Sequence, residues 1–552
     1  MGARPLTRPR RPWPAIIYAL ALLVITTLPY LLAWGQQDDS WRFSGFLFGV
    51  EDSQSYIAKM RQGAAGQLDF TLAYTTEDHA AAPGVYLHFL IPGWLVGRFI
   101  SSSDPALTPA LIAVFHALRL AGAVLYLWVL YRFISAFVLT PGLRLTAFVL
   151  ATIGGGLGWL LAFTTGTLPP EFYIPEGFGF LMLWGLPHLL LARAALLGGL
   201  LLVSRAAEGN RAWQWPVAAA LCWALMGLVV PFYLAVLYAV LAAWVALVWL
   251  RARAFPRRLT AALALGAGLT LPLFVYFFAV FSSNPAMAEW SAQNRLPSPP
   301  PLDYLLAYLP LLIPAVTALP FVWASAWDKG RLTLLLAWVL VAPLLAYLPI
   351  SVQRRLLEGV IVPLSILAAV GLAGWARRGR AGRFAAGAMI VLSSLSVVFL
   401  LAGSLVSISK ANTPLFRPAT ETAALNWLNV HAAPGAVVLS AFDSGNVLPA
   451  FTHLRPFVGH GPETIAAEEK RELAAAFFRG ELSAEEQAVL LAGPCLAPAP
   501  LPCSDPIDYI LFGPLEQTIS PEWPLAADLD WVKIYDVVGY QIYGRAGAIS
   551  DS

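Results

Sequence analysis

Long stretches without a charged residue constrain the fold of this chain more than any other feature of its sequence. Residues 15–34 and 145–164 carry no charge, and residues 212–250 form an uncharged run of 39 residues that Pro231 interrupts. A bilayer core about 30 Å thick is crossed by roughly 20 apolar helical residues. Because helices satisfy their own backbone hydrogen bonds in lipid, and alternating strand patterns are absent, these stretches predict membrane-spanning helices.

The composition agrees with a membrane protein. Apolar residues make up 58% of the 552 residues and charged residues only 12%, whereas about a quarter of the residues in a soluble domain are charged. We predict an all-α polytopic bundle of about 11–13 transmembrane helices over residues 15–410, after a basic cytoplasmic segment at residues 1–14. The net charge of +3 comes without a basic patch and interleaved aromatic residues, so nucleic acid is not an expected partner.

Basic clusters indicate the orientation of this bundle in the inner (plasma) membrane. They lie at 205–211, 251–258, 329–331 and 377–383, and each one marks a cytoplasmic loop. The four clusters indicate the same orientation. However, when crossings are counted forward from a cytoplasmic N-terminus, the number is off by one for these loops to be cytoplasmic. We therefore expect an additional short or re-entrant segment near residues 175–187.

The composition changes after Lys410, where the apolar stretches end and charged residues become frequent. Residues 416–552 predict a small α/β domain, which the basic loop before the last span places outside the cytoplasm. Its predicted helices are 419–431 and 463–478, and its predicted strands are 436–441, 507–512, 531–537 and 539–543. Cys495 and Cys503 flank a proline-rich loop, and whether they pair depends on an oxidising compartment.

The polar first outer loop, residues 35–84, carries the main acidic candidates. Glu51 and Asp52 begin a predicted interfacial helix, and Glu77 and His79 lie just before the second span. Carboxylates at a membrane surface can act as a general base or hold a divalent cation. Asp52, supported by Glu51 and Glu77, is the predicted catalytic group, and Asp52, Glu77 and His79 are candidate metal ligands. The same residues also fit an ordinary solvated loop in which Asp52 caps the helix.

Polar side chains within apolar stretches are costly, so those present are candidate substrate contacts. His116 and Arg119 lie three residues apart on one helical face, and His188 follows a segment rich in Gly and Pro. His116 and Arg119 fit equally a position at the membrane interface or a pair within the bundle. The segment with His188 fits a kinked helix with one interfacial histidine somewhat better. Arg354 and Arg355 precede a span on the predicted outer side, where they can hold a phosphate or anchor lipid headgroups.

The chain resembles the GT-C superfamily of membrane glycosyltransferases in the order of its parts. The first apolar stretch, which serves as a membrane anchor, is followed by an acid-bearing outer loop, many spans, an outer arginine pair and a folded tail. The resemblance covers nearly the whole chain in architecture and rests on short motifs. It implies that Glu51 or Asp52 acts as base or metal ligand and that Glu77 or its neighbour Asp78 supplies a second acid. It also implies that Arg354 or Arg355 contacts the phosphate of a polyprenyl-phosphate sugar.

The tail also resembles the acceptor-reading segment of oligosaccharyltransferase catalytic subunits. The stretch TAALNWLNVHAAPGAVVLSAFDSGN has the same order of helix, strand and turn. Phe442, Asp443, Ser444 and Gly445 stand in place of the family's WWDYG motif, so the resemblance does not imply transfer to an asparagine sequon. Polar residues that follow, including His460, fit a polar acceptor or ordinary turns and caps.

The predicted function is therefore a glycosyltransferase of the cell envelope, of the hexosyltransferase type. It would move a sugar from a polyprenyl-phosphate donor to an extracytoplasmic acceptor. The expected partners are this lipid-linked donor, membrane lipids and an unidentified acceptor, and a cofactor, if one is used, would be Mg²⁺ or Mn²⁺. The alternatives are a transporter or lipid flippase, which the long acidic loop, the tail and the lack of two-fold repeats disfavour, and a non-catalytic membrane scaffold.

Overall fold

The structure is a computed structural model that describes residues 13–166, 168–206, 213–324, 331–521 and 531–545. Most of the basic segment 1–14 and two basic loop residues, Arg211 and Lys329, lie outside these ranges. Within them, eight helices are long and apolar enough to cross a membrane, and four shorter apolar helices accompany them. The predicted fold class, a helical membrane bundle with a small C-terminal α/β domain, is confirmed.

The described helices are α1 (Trp13–Gly35), α2 (Val50–Ala64), α3 (Leu87–Gly97), α4 (Leu107–Phe137), α5 (Pro141–Ile153), α6 (Gly158–Thr165), α7 (Phe180–Gly185), α8 (Pro187–Ala206), α9 (Gln214–Val229), α10 (Tyr233–Ala252), α11 (Arg257–Ser283), α12 (Pro285–Gln293), α13 (Pro301–Ala324), α14 (Arg331–Ala346), α15 (Ile361–Ala376), α16 (Arg380–Lys410), α17 (Ala419–His431), α18 (Phe442–Phe451), α19 (Ala467–Arg479), α20 (Ala484–Ala492) and α21 (Pro514–Ile519). The strands are β1 (Trp41–Phe43), β2 (Phe416–Pro418), β3 (Val437–Leu439), β4 (Arg455–Pro456), β5 (Tyr509–Phe512), β6 (Trp531–Val537) and β7 (Tyr540–Arg545). Two 3₁₀ turns cover Pro170–Phe172 and Gln353–Leu357.

The chain divides into two compact units. The first unit contains the residues up to Pro29 together with Arg119–Phe274 and Leu296–Leu405. In this unit α8 packs along α9, α10 along α14, and α15 against both α5 and α13. The contact of α15 with α13 requires Gly371, because a Cβ atom there would lie 1.9 Å from the carbonyl oxygen of Pro314. Close helix contacts of this kind are typical of membrane bundles.

The segment between α5 and α8 includes residues 175–186, near which the sequence predicts an additional short element, and α7 lies there. It contains the short helices α6 and α7 and the 3₁₀ turn Pro170–Phe172. The Glu171 carboxylate accepts hydrogen bonds from the backbone N–H of Gly158 at 2.7 Å and from the Ser396 hydroxyl at 3.1 Å. These bonds stabilise the non-helical residues 154–157 that separate α5 from α6. Whether this segment re-enters the membrane stays a prediction.

The second unit joins the first outer loop to the C-terminal domain and contains Tyr30–Leu118, Val275–Arg295 and Val406–Ser552. Strand β1 of the outer loop pairs with β2 at the start of the C-terminal segment, in antiparallel register. Helix α2 packs against α3 and also against α18 of the C-terminal domain. The loop and the tail, which the sequence presents as separate segments, therefore fold as one body.

The C-terminal sheet has five strands in the order β4-β3-β5-β7-β6. Strand β3 runs parallel to β4 and β5, and β7 runs antiparallel to β5 and β6. Alternate residues of β3 and β5 face opposite sides, as strand geometry requires. Val438 and Leu511 pack with α17 and α18, whereas Leu439 and Ile510 pack with α19 and α20. The domain is thus a sheet with helices on both faces.

Several predicted elements of the C-terminal domain coincide with those observed. Helix α17 and strand β6 have the predicted bounds, whereas α19 begins at Ala467 and not at residue 463. Residues 461–466 form a loop there, because Glu463 and Thr464 make contacts of their own with the first outer loop. Cys495 and Cys503 form a disulfide.

We expect the C-terminal domain to lie outside the cytoplasm. The basic cluster 377–383 lies at the start of α16, and basic loops stay cytoplasmic. The disulfide also suits an oxidising compartment. Alkaline phosphatase fused after Ser552 should be active in cells, whereas green fluorescent protein at the same position should be dark. The reverse pattern would place the domain in the cytoplasm.

Candidate active site

A polar cavity of about 680 Å³ lies in the second unit, where α2 faces α18. Its wall carries three carboxylates, those of Glu51, Asp52 and Asp443, together with the side chains of Asn446 and His460. We call it the Asp52 cavity. It brings together Glu51 and Asp52 with residues of the segment that resembles the acceptor-reading part of oligosaccharyltransferases.

The start of α2 presents its two acids to this cavity. Gly49 precedes the helix in the left-handed region, at a φ of 55°, and no side chain caps the helix. Gly49, and not Asp52, therefore occupies the N-cap position. Glu51 and Asp52 lie in the first turn, where the positive end of the helix dipole favours carboxylates. The Asp52 side chain is 58% exposed, so its carboxylate is accessible from the cavity.

A buried chain of polar side chains stands behind Asp52. The Asp52 Oδ1 atom lies 3.2 Å from Nε2 of His460, whose side chain is only 7% exposed. The Nδ1 atom of His460 faces Oε1 of Glu463 at 3.9 Å. Lys59 Nζ lies 2.6 Å from the same Glu463 oxygen, and the Ser55 hydroxyl donates to it at 2.8 Å. The chain thus runs from the cavity to a fully buried ion pair.

The charges of these buried side chains determine the pKa values of His460 and Glu463. Burial alone would lower the pKa of His460, but its hydrogen bond with Asp52 and the charges of Glu463 and Asp52 raise that pKa above its ordinary value. Burial alone would raise the pKa of Glu463, but the Lys59 ammonium and His460 hold it below the usual range. Glu463 is therefore ionised at neutral pH.

The amide of Gln54 also lines the Asp52 cavity. The residue is 1% exposed, and neither its amide nitrogen nor its amide oxygen has a hydrogen-bond partner among the residues that the structure describes. Buried polar atoms are nearly always hydrogen-bonded, to protein, water or ligand. An amide in this position suits a ligand that both donates and accepts hydrogen bonds.

Glu77, the third predicted catalytic acid, does not line the Asp52 cavity. Its carboxylate is fully buried, 2.8 Å from Lys470 Nζ, and accepts a hydrogen bond from the Ser504 hydroxyl at 2.7 Å. Burial alone would raise the pKa of Glu77, but the Lys470 ammonium and the hydrogen bonds lower it. This arrangement fixes the outer loop to the C-terminal domain and leaves no accessible carboxylate.

His79, a candidate metal ligand, uses both ring nitrogens in backbone contacts. Its Nε2 atom accepts a hydrogen bond from the N–H of Leu72 at 3.0 Å, and its Nδ1 lies 2.8 Å from the carbonyl oxygen of Glu77. Across the described ranges, no three His, Cys, Asp or Glu side chains are grouped so that they could hold a metal ion. The structure therefore does not assemble the predicted set of Asp52, Glu77 and His79.

Two of the three predicted contacts inside apolar stretches, His116 and Arg119, form hydrogen bonds within the fold. In the second unit, His116 Nε2 lies 2.8 Å from the carbonyl oxygen of Gly45. In the first unit, Arg119 donates to the Leu183 carbonyl and to the Thr27 hydroxyl, each at 3.2 Å. His188 is the second residue of α8. None of these three predicted substrate contacts lines the Asp52 cavity.

The arginine pair of the first unit lies in the 3₁₀ turn Gln353–Leu357, before α15. Arg355 Nε lies 3.6 Å from Oε1 of the buried Glu176. Arg354 places its guanidinium 5.2 Å from the centre of the Tyr173 ring, and no carboxylate of the described residues forms an ion pair with it. Of the two, Arg354 is therefore the one whose charge is available to an anion.

Sequence reasoning missed Lys59, Glu463 and Lys470. A signal for the first was present, because Asp52, Ser55 and Lys59 are spaced by three and four residues and so share one face of α2. Glu463 pairs across more than four hundred positions, and no local pattern marks such a partner.

Comparisons with known proteins agree with this architecture. No family model matches the chain, and no curated protein sequence matches it. The oligosaccharyltransferase of Archaeoglobus fulgidus, tethered by a disulfide to an acceptor peptide with the NVT sequon, has a similar structure. The TM-score is 0.50 at 13% identity, over 96% of this chain and 74% of that one. The fold is GT-C-like.

Two further structures of the Archaeoglobus fulgidus enzyme are similar to the chain at slightly lower scores. The apo form has a TM-score of 0.49 at 12% identity, over 90% of this chain and 69% of that one. The complex with an inhibitory peptide and a dolichol-phosphate has a TM-score of 0.48 at 14% identity, over 97% and 75%. At these identities the likeness is one of fold.

Proposed function

We propose that the chain is a membrane glycosyltransferase that moves a sugar from a polyprenyl-phosphate donor to an extracytoplasmic acceptor. The observation that carries this proposal is the Asp52 carboxylate, which is 58% exposed in a cavity of about 680 Å³ and is held from behind by buried His460. The GT-C-like fold and the resemblance of the first outer loop to that superfamily support it. The similar structure with a tethered acceptor peptide is that of an oligosaccharyltransferase, which is also an enzyme of sugar transfer.

The proposed step is a substitution at the anomeric carbon of the donor sugar. An acceptor oxygen or nitrogen forms a bond to this carbon while the bond from the carbon to the phosphate oxygen breaks, and the bonding pair leaves with the polyprenyl phosphate. Asp52 takes the proton that the acceptor loses. A positioned general base contributes about a hundredfold to ten-thousandfold to such a step.

Polar groups on the wall of the Asp52 cavity suit the acceptor. Glu51, Asp443 and the Gln54 amide supply mostly hydrogen-bond acceptors, which favours a ligand rich in O–H or N–H donors. The Arg417 guanidinium also lines the cavity, but it forms a buried ion pair with Glu421. An anionic acceptor would therefore meet an acidic wall.

The donor phosphate requires positive charge, because negative charge accumulates on the leaving oxygen. We propose Arg354 for this role from its surroundings in the first unit. It lies in the 3₁₀ turn Gln353–Leu357, its guanidinium lies 5.2 Å from the centre of the Tyr173 ring, and no described carboxylate forms an ion pair with it within 4 Å. Arg355, by contrast, has Glu176 beside it.

Substitution of Lys for Arg354 should raise the KM for the donor by about tenfold, the effect of one charge-assisted hydrogen bond. Lysine keeps the charge but loses the planar fork that matches phosphate oxygens. Lys at Arg355 is the matched control and should affect thermal stability more than donor use, because Arg355 neighbours the buried Glu176. Initial rates at varied donor concentration, with unfolding temperatures, check this. An unchanged KM in both variants would mean that the phosphate is held elsewhere.

The function itself is tested by offering purified protein a set of radiolabelled sugars on a short polyprenyl phosphate. Mannose, glucose, galactose and aminoarabinose donors cover neutral and cationic sugars. Because the acceptor is unidentified, the readout is release of water-soluble label and formation of polyprenyl phosphate, with water as acceptor. We expect one donor to be consumed. Folded protein that consumes none of them would contradict the proposal.

A further inference from the structure

We propose that His460 is a positioning residue, whose Nε2–H holds the Asp52 carboxylate in the orientation that takes the acceptor proton. The inference rests on the proposed role of Asp52 and deepens it. It assigns a residue of the C-terminal domain to the chemistry of the first outer loop, 408 positions away in sequence.

The side chains of Asp52 and His460 differ in exposure. Asp52 lies in the first turn of α2 and is 58% exposed. A carboxylate in such a place has several rotamers open to it. His460 is 7% exposed and its Nε2 lies 3.2 Å from Asp52 Oδ1, so a buried donor favours one orientation of an exposed carboxylate. Preorientation of this kind lowers the barrier of a reaction.

The backbone of His460 is itself held by hydrogen bonds. The Thr464 hydroxyl lies 3.0 Å from the His460 carbonyl oxygen, and it lies 2.9 Å from the carbonyl oxygen of Tyr74 in the first outer loop. The Thr75 hydroxyl accepts the N–H of Ile465 at 3.1 Å. The loop 461–466 that follows His460 is thus fastened to the outer loop next to the cavity.

Charged side chains surround the His460 imidazole. Asp52 and Lys59 face it from α2, Glu463 from its own loop, and the Tyr74 ring lies 5.5 Å away from the outer loop. Asp52 accepts a hydrogen bond from Nε2 of His460. Glu463, which forms an ion pair with Lys59, lies 3.9 Å from Nδ1. Two carboxylates on opposite sides of the ring fix its orientation and require Nε2 to carry a proton.

The contact would be purely structural if His460 served only to join the loop to Glu463. Two polar substitutions of similar size separate these roles. In His460→Gln, the side-chain amide nitrogen can replace Nε2 and keep the donor to Asp52. In His460→Asn, the amide stands near the position of Nδ1, so the donor towards Asp52 is lost while the side towards Glu463 stays polar.

We expect His460→Asn to lower the rate of sugar release at saturating donor by about tenfold to a hundredfold, the effect of one hydrogen bond to a charged group. His460→Gln should stay within about threefold of the wild-type rate. The KM for the donor should change little in either variant. His453→Gln is the matched control, because His453 also lies in the C-terminal domain but contacts the Ala432 carbonyl oxygen, away from Asp52.

The assay uses the full-length protein with the polyprenyl-phosphate sugar that it consumes, and it includes Asp52→Asn and unfolding temperatures. An inactive Asp52→Asn with His460→Asn near the wild-type rate would overturn the inference and leave the proposed function intact. Equal loss in the Gln and Asn variants, in step with lower unfolding temperatures, would also overturn it in favour of a structural contact. An active Asp52→Asn would remove the proposed catalytic group, and with it the role of His460.

Discussion

Replacement of Asp52 by Asn should slow sugar transfer by at least about a hundredfold, the usual contribution of a general base. Asparagine has nearly the same size, and its amide oxygen can still accept the hydrogen bond from His460 at 3.2 Å. It cannot take a proton from the acceptor. The loss should therefore appear in the turnover number, with an unchanged unfolding temperature and a similar KM for the donor.

Glu51→Gln is the control for this experiment. Glu51 lies next to Asp52 in the first turn of α2 and lines the same cavity, but no described contact joins its carboxylate to His460. Its loss should cost much less activity than the loss of Asp52. Near-normal turnover by Asp52→Asn would exclude Asp52 from the mechanism, and a larger loss in Glu51→Gln would transfer the role to Glu51.

Replacement of Glu77 by Gln should lower the free energy of unfolding by about 3–5 kcal/mol, which is typical when one partner of a buried ion pair is removed. Lys470 would then remain buried without the carboxylate 2.8 Å away. Because Glu77 does not line the Asp52 cavity, the rate per folded molecule should stay close to that of the wild type.

The same pair predicts a dependence of stability on pH. Since the pKa of Glu77 is lower in the folded protein than in the unfolded chain, its contribution is complete above the ordinary glutamate pKa, about 4.3. The contribution is lost as the pH falls below that value. Unfolding temperatures measured between pH 3 and 7 should therefore drop more steeply at acidic pH for the wild type than for Glu77→Gln.

The double variant Glu77→Gln with Lys470→Met is the control, since it also removes the buried charge that Glu77→Gln leaves unpaired and so restores part of the stability. If Glu77→Gln proves as stable as the wild type, the pair contributes nothing measurable. If that variant is stable but inactive, Glu77 has the catalytic role that its sequence position suggests.

The sequence predicts most of the fold because membrane helices are marked by local composition. The uncharged run over residues 212–250 separates at Pro231 into α9 and α10, as expected. Local patterns also give α17 and β6 with their bounds. The predicted start of α19 at residue 463 is wrong, since Glu463 pairs with Lys59, and a long-range ion pair leaves no local pattern.

The candidate site is predictable from the sequence only in part. Glu51 and Asp52 stand out as acids at the start of an interfacial helix, and the structure places both on the cavity wall. Glu77 has the same local appearance, yet Lys470, 393 positions away, neutralises it in the interior. Burial and remote partners, rather than residue type, separate these acids. The sequence marks His460 only as one of several polar residues in a loop, and nothing local to it indicates a contact with Asp52.

The central claim is that sugar transfer takes place at Asp52. The most direct test is a cryo-electron microscopy structure of the full-length protein with a non-hydrolysable phosphonate analogue of the donor sugar that it consumes. We expect density for the sugar in the Asp52 cavity, with the anomeric carbon within about 4 Å of the position that an acceptor atom activated by Asp52 would occupy. Density for the sugar at another place, with the Asp52 cavity empty, would contradict it.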